Sequence, residues 1–234
     1  MRPSPPAPLE EIPFRFKRSE YTYIMSGPQS AERIYVSQSR ECQRVNMIQV
    51  AMTVEQFLDQ RGEMPEGGQW AELHAGVPVF LEPPDVDHGT VVLNLSKALA
   101  TYFHQVDAGY ACFDLGLHVA RQPDTVYFPA VSLFLTGLRF AESDNAVTET
   151  VPALAIEILS TPDRKQGLEL RLAQLLHWGV PTVWTIDLKS KTVQIWDRKG
   201  ERLLRSDEII ETVPALPGFR VPVIELFTVP EWAK

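Results

Sequence analysis

The chain has only two cysteines, Cys42 and Cys112, and they are far apart. Two thiols cannot build a zinc site alone and do not resemble a disulfide framework, so a reducing cytoplasm is the expected setting. No apolar run approaches the ~18 residues that a membrane span needs. The N-terminus, MRPSPPAPLEE, lacks the apolar core of a secretory signal. An excess of positive charge is also missing, since the net charge is −8 over 234 residues. Broad, non-specific nucleic-acid binding usually leaves a basic footprint, although a net-acidic chain can still hold a local basic groove. There is no Gly-rich phosphate loop, no G-x-S-x-G elbow, no C-x-x-C and no internal repeat. His74, His104, His118 and His177 show no metal-ligand spacing.

What is present is ordinary for a globular protein: 44% hydrophobic and 22% charged residues. The length suits one domain plus an extension. Residues 1–51 carry seven Lys or Arg against five Glu, and residues 52–234 hold the acidic excess. The proline-rich start should be extended or disordered. Met25, Met47 and Met52 are alternative translation starts, so part of 1–51 is expected to lie upstream of the true start. The domain is expected over 52–228, with a tail at 229–234. Intact-mass measurement of the native gene product checks the start.

Thr53 with Gln56 three residues on has the spacing of a capping box and predicts a helix start at Met52–Leu58. Trp70–Leu73 leads through a turn at Ala75-Gly76 into a strand, Val77–Leu81, whose Pro78 marks an edge or a strand start. Val92, Leu95, Leu99 and Phe103 follow helical spacing and predict a helix from about Gly89 to His104. Alternating apolar residues predict β structure over Tyr110–Val119, then Val126–Leu135. PALAIEIL at 152–159 reads as a buried strand, 165–178 as a helix ended by Gly179, and 182–186 with 192–196 as two strands. The segment Pro214–Phe227 reads as an extended closing piece. The order predicts one mixed sheet flanked by helices, in the α+β or α/β class.

Glu157 stands out. It sits in a strand whose two faces are both apolar, where a carboxylate is costly unless it is paired or binds a cation. The alternative is a glutamate at the strand's exposed end, salt-bridged or solvated. Glu72, taken alone, reads as a surface residue. His88 follows Glu82, Asp85 and Asp87, a polar loop that suits the cap of the next helix. Trp178, Trp184 and Trp196 read as core or sheet-packing residues.

The stretches MTVEQFL, WAELHAGVPVFLEPP with DHGTVVLNLSKAL, DTVYFPAVSLFL, PALAIEILSTPDRK, LHWGVPTVWTIDLKSKTVQIW and LPGFRVPVIELF run in order from Met52 to about Phe227. In that order and spacing the chain resembles the Uma-two family of restriction-type endonucleases. The resemblance implies a PD-(D/E)XK nuclease fold: a restriction-endonuclease-like mixed central sheet flanked by helices. It implies Mg²⁺ as cofactor and DNA as partner if the site is active, and a homodimer among the assemblies, since related nucleases dimerise to cut both strands. Site residues carry over unevenly. Glu72, His88 and Glu157 match the family pattern, whereas the family's motif aspartate matches Ala130. In the following helix its Asp and Lys match Gly167 and Arg171, and its Tyr matches Leu175. Asp124 also follows a proline, but it lies before the strand Val126–Leu135, so register argues against it.

Physical chemistry turns these departures into expectations. Such nucleases use carboxylates to hold a metal that activates water and polarises phosphate. Glu72 and Glu157 are the expected metal carboxylates, and Ala130 supplies no ligand. Arg171 stays protonated and cannot act as a general base, but it could stabilise phosphate charge. Without a metal, its fork could pair with one or both glutamates. The expected result is a salt-bridged remnant with weak or lost hydrolysis. A competing expectation is a migrated active site with Asp163 as metal ligand and Lys165 as catalytic residue, against the plainer view that Asp163 sits near a helix cap. A third is a non-catalytic scaffold that binds nucleic acid, through a groove near Arg164, Lys165 and Arg171, or binds protein.

Overall fold

A computed structural model describes residues 51–106, 109–211 and 215–231. Helix α1 (Val54–Arg61) opens with the predicted box: the Thr53 hydroxyl accepts from the Gln56 amide at 3.3 Å, and the Gln56 side chain accepts from the Thr53 amide at 2.9 Å. Strands β1 (Ala71–His74) and β2 (Val77–Phe80) form a hairpin whose turn places Ala75 at φ 49° and Gly76 at φ 77°. Two positive φ values let a two-residue turn match the twist of its strands. As Pro78 suggested, β2 is an edge strand.

Helix α2 (Val86–Val106) starts three residues before the expected Gly89. The Asp85 carboxylate accepts from the His88 amide at 3.2 Å and so caps the first turn, which holds His88. Then follow β3 (Tyr110–Phe113), β4 (Gly116–Ala120), β5 (Thr125–Tyr127) and β6 (Val131–Phe134). The continuous β segments expected over 110–119 and 126–135 are therefore each broken. Asp114, at φ 51°, turns the chain between β3 and β4, and Phe128–Ala130 separates β5 from β6. Side-chain alternation runs on through such bends, so periodicity alone does not see them.

Beyond lie β7 (Val147–Thr148), β8 (Leu154–Leu159), α3 (Pro162–Gln166) and α4 (Leu168–Trp178). The single helix expected at 165–178 is two pieces joined at Gly167, with α3 opening on Pro162 after an extended Thr161. Gly179, at φ 120°, closes α4. Strands β9 (Thr182–Asp187), β10 (Thr192–Asp197) and β11 (Gly200–Leu204) make an antiparallel meander, followed by β12 (Ile209–Ile210), β13 (Val221–Pro222) and α5 (Val223–Leu226). The closing segment is thus not simply extended. Val223 and Leu226, three apart, bury one face of a helical turn, and the Asn94 amide group donates to the Leu226 and Thr228 carbonyls at 3.1 and 2.9 Å.

The class is mixed α/β. The strands divide between two principal sheets rather than one: β2-β1-β5-β4-β7 and β11-β10-β9-β8-β6-β3. Each contains one parallel pair, β4 with β7 and β8 with β9. Strand β8 is interior and its faces are the ones read from sequence. Leu154, Ile156 and Ile158 pack with Val91, Leu95 and Leu99 of α2. Ala155, on the Glu157 face, packs with Leu172 and Leu175 of α4. Trp184 is fully buried, while Trp178 and Trp196 lie partly buried against the α4 cluster.

The described residues form one compact unit. The expectations about the N-terminal extension and its start fall, apart from Ala51, outside the described residues. No helix among the described residues is long and apolar enough to cross a membrane. Cys112 is a buried free thiol.

Candidate functional site

The two sheets and α4 meet at one buried ion-pair centre. Strand β1 contributes Glu72, β8 contributes Glu157, and the second turn of α4 contributes Arg171. Their residue exposures are 1%, 6% and 5%. Glu72 is therefore not the surface residue expected from its local sequence, because β1 is covered by α1 on one side and α4 reaches its carboxylate on the other. Nor does Glu157 sit at a solvated strand end. It is interior and paired.

The pairing is unequal. Arg171 Nη1 donates to Glu72 Oε1 at 2.8 Å, and Nη2 donates to Glu72 Oε2. Glu157 receives only Nη1, at 3.3 and 3.5 Å from its two oxygens. Glu72 also accepts from the Phe128 amide at 3.2 Å and bonds His74 Nε2 at 2.8 Å. Burial pushes the Glu72 carboxyl upward, but the Arg171 charge and the bonds from His74 and Arg171 outweigh it and hold the pKa down at about 2. For Glu157 burial wins over Arg171, and the nearby Glu72 charge adds to it, so its pKa is raised. Burial pulls Arg171 down, but the two glutamates reverse that and hold its pKa above the ordinary value.

Three neighbours complete this centre, and the sequence reading missed them. His74 lies two residues from Glu72 in the same strand, so strand alternation puts both on one face. That spacing was a usable signal. Gln174 is one turn beyond Arg171 and accepts from the Tyr127 hydroxyl. The Tyr127 ring faces the guanidinium, with its centroid 4.4 Å from Cζ. Burial raises the Tyr127 pKa to about 12. No local signal linked Tyr127 to Arg171, because β5 and α4 meet only in the tertiary structure.

Beside the centre opens a cleft of about 390 Å³, counting its solvent-open mouth. Glu72, Glu157, His88, Ala130, Asp114, Arg164 and Trp70 line it. Ala130 stands immediately before β6 and brings no carboxylate to this wall. His88 Nδ1 lies 3.1 Å from Ser160 Oγ, and burial, helped by the Arg164 charge, lowers the His88 pKa to about 4. Asp114 reaches the cleft from the β3–β4 turn, and burial raises its pKa against the opposing charges of Arg164 and Arg61. Sequence reasoning gave neither Asp114 nor Trp70 a place in the site.

Asp163 and Lys165 do not line this cleft. Asp163 accepts from the Glu82 and Arg164 amides at 2.7 and 2.8 Å and from the Thr161 hydroxyl, so it organises the start of α3. These bonds outweigh burial and lower its pKa. Lys165 Nζ pairs with Asp187 on β9 at 3.0 Å. Asp124 is also elsewhere: its Oδ2 accepts from the Val54 amide at 2.9 Å and caps α1. Among the described residues, no three or more His, Cys, Asp or Glu side chains are grouped so as to hold a metal ion.

With this geometry in place, comparison with known proteins adds the family. The Uma2 family, described as "Putative restriction endonuclease", matches residues 54–224. A crystal structure of a "putative nuclease" from Anabaena variabilis ATCC 29413 superposes with a TM-score of 0.61 at 18% identity. The match covers 75% of this chain and 97% of that one. At that identity the likeness shows a shared fold. No curated protein matches the chain.

Proposed function

The chain belongs to the Uma2 family of restriction-type endonucleases, and from that premise we propose a DNA-directed nuclease scaffold with weak or lost hydrolysis. One observation carries the reading: the Arg171 guanidinium lies between the two glutamates that the family resemblance assigns to metal binding. A divalent cation entering there would meet a fixed positive charge that is already hydrogen-bonded to both carboxylates. Coulomb repulsion in a buried site and the loss of those bonds both oppose entry. The third wall is Ala130, which has no side-chain oxygen to offer. The donor set therefore does not suit Mg²⁺, which needs carboxylate oxygens free to complete an octahedron with water and substrate. Arg171 cannot serve as a base, and Lys165 is turned to Asp187.

The test is calorimetric titration of Mg²⁺ and Mn²⁺ into the full chain, alongside plasmid cleavage. No saturable binding and no nicking are expected. Saturable binding that disappears in Glu157→Gln would overturn the proposal, and cleavage lost in Asp163→Asn or Lys165→Ala would favour the migrated site. The double variant Ala130→Asp/Arg171→Lys supplies the family's motif residues and is expected to gain metal binding. If it binds no better than the parent, these two positions are not what limits the site.

A further inference from the structure

Away from the cleft, a second enclosed side chain faces opposing charge. His118 lies on β4, and the alternation that turns Leu117 and Val119 toward α4 turns its ring to the other face of the sheet. The ring is buried, and both of its nitrogens face carboxylates. Nδ1 is 3.0 Å from Glu149 Oε1, in the connection between β7 and β8. Nε2 is 3.4 Å from Asp124 Oδ1, in the turn before β5, and has no hydrogen-bond partner among the described residues. Glu55, in the first turn of α1, also feels the His118 charge. Arg121 brings a cation to the group, bonded to the same Glu149 oxygen.

A neutral imidazole carries one N–H and one lone pair. Whichever tautomer forms, one nitrogen turns a lone pair toward a carboxylate that has no proton to give. Only the doubly protonated ring donates to both. Asp124 stays ionised to receive it. Burial pushes its carboxyl up, but the Val54 and Gln122 amides and the His118 charge outweigh burial and lower its pKa. The second contact bears on more than the turn. Asp124 Oδ2 caps α1 through the Val54 amide at 2.9 Å, and the Asp124 carbonyl accepts from the Gly76 amide at 2.7 Å in the β1–β2 turn. Helix α1 in turn lies over β1, the strand that carries Glu72, with Val54 and Phe57 packed on Ala71 and Leu73.

We propose that His118 is a proton-dependent latch: the neutral ring holds Glu149 alone, and on taking a second proton its Nε2–H closes onto Asp124, fixing the cap of α1 and with it the cover of β1. The latch does not depend on whether hydrolysis survives at the Arg171 centre. It gives a buried histidine outside the cleft a role in how firmly the Glu72 strand is enclosed.

The test follows the full chain by NMR between about pH 5 and 8, the window in which histidine ordinarily changes charge. Ring nitrogen chemical shifts of His118 report its protonation. Amide protection factors, which already correct for the pH dependence of exchange chemistry, report the opening of α1. Protection at Phe57 and Leu58 is expected to be about tenfold higher with the ring protonated than neutral, the worth of one hydrogen bond to a charged group. His118→Gln should be flat across the window. His88, with its pKa lowered to about 4, changes charge below it. If His118→Gln fails to fold, Asp124→Asn keeps an oxygen for the α1 cap and removes the charge, and it should lose most of the response. Protection that does not follow the His118 titration, or that follows it equally in either variant, would overturn the proposal. So would a ring that keeps one protonation state across the whole window.

Discussion

The molecule contains two clusters built from the same ingredients, an arginine, carboxylates and a histidine, and they behave as opposites. At the sheet junction, Arg171, Glu72, Glu157 and His74 are held between β1, β8 and α4, with the arginine and both glutamates buried. Around the β4–β5 turn, Arg121 pairs with Glu149, His118 Nδ1 lies 3.0 Å from Glu149, and His118 Nε2 lies 3.4 Å from Asp124. There the Arg121 and Glu149 side chains are 67% and 53% exposed. In water the Arg121–Glu149 pair gains little, since solvent already stabilises both charges, although His118 beside it is buried. In the interior each charge needs the others, because removing one partner leaves the rest desolvated and uncompensated. Residue type does not separate a functional-looking cluster from a surface one. Dielectric environment does.

Several measurements would break or sharpen that contrast. Arg171→Ala should have the largest effect, a loss of about 3–5 kcal/mol at neutral pH in urea unfolding, because two buried carboxylates lose their shared cation. A loss no larger than that of a surface pair would show that the centre is not desolvated.

Acidification should come next. The His88 pKa is lowered from 6.5 to about 4, so the unfolded chain takes that proton first and stability falls as pH drops through this window. The Glu72 pKa is lowered from 4.5 to about 2, so its contribution is present above pH 4.5 and is lost as pH falls toward 2. Glu157, with its pKa raised, acts in the opposite sense and regains stability on protonation. A urea midpoint followed against pH should fall in two stages, and His88→Gln should remove the upper one. A single stage in the parent would contradict this assignment.

Glu157→Gln should cost less than the arginine change, about 1 kcal/mol, because Arg171 keeps its stronger bonds to Glu72 and a neutral amide suits the buried position. Arg121→Ala should be the smallest, with no resolvable shift of the thermal midpoint. A large shift there would mean that the exposed cluster locks β4 to its neighbours and that the comparison is misdrawn.

Much of this was legible in the chain. The α1 capping box, the hairpin turn at Ala75-Gly76, the edge proline and the two-sided burial of β8 all follow from short-range rules of spacing and backbone preference. The pairing of Arg171 with Glu72 and Glu157 was expected only through the family resemblance, which put the three positions in one site; no short-range rule joined them. The misses share a different cause. Breaks at Asp114 and Phe128–Ala130 switch the chain between sheets without disturbing alternation, so one sheet was expected where there are two. Glu72 read as a surface residue because nothing near it in sequence reveals that α1 and α4 will cover it. Tyr127, Asp114 and Trp70 carry no local mark at all.

The sequence alone determined the mixed α/β class, the family and the kinds of groups available to the site, because composition, periodicity and motif order are properties of the chain. Only the tertiary structure decided which carboxylates are desolvated, which arginine is spent on them and which is left facing the cleft. Those outcomes depend on burial and on contacts between residues as far apart as Glu72 and Arg171, and no local pattern encodes either.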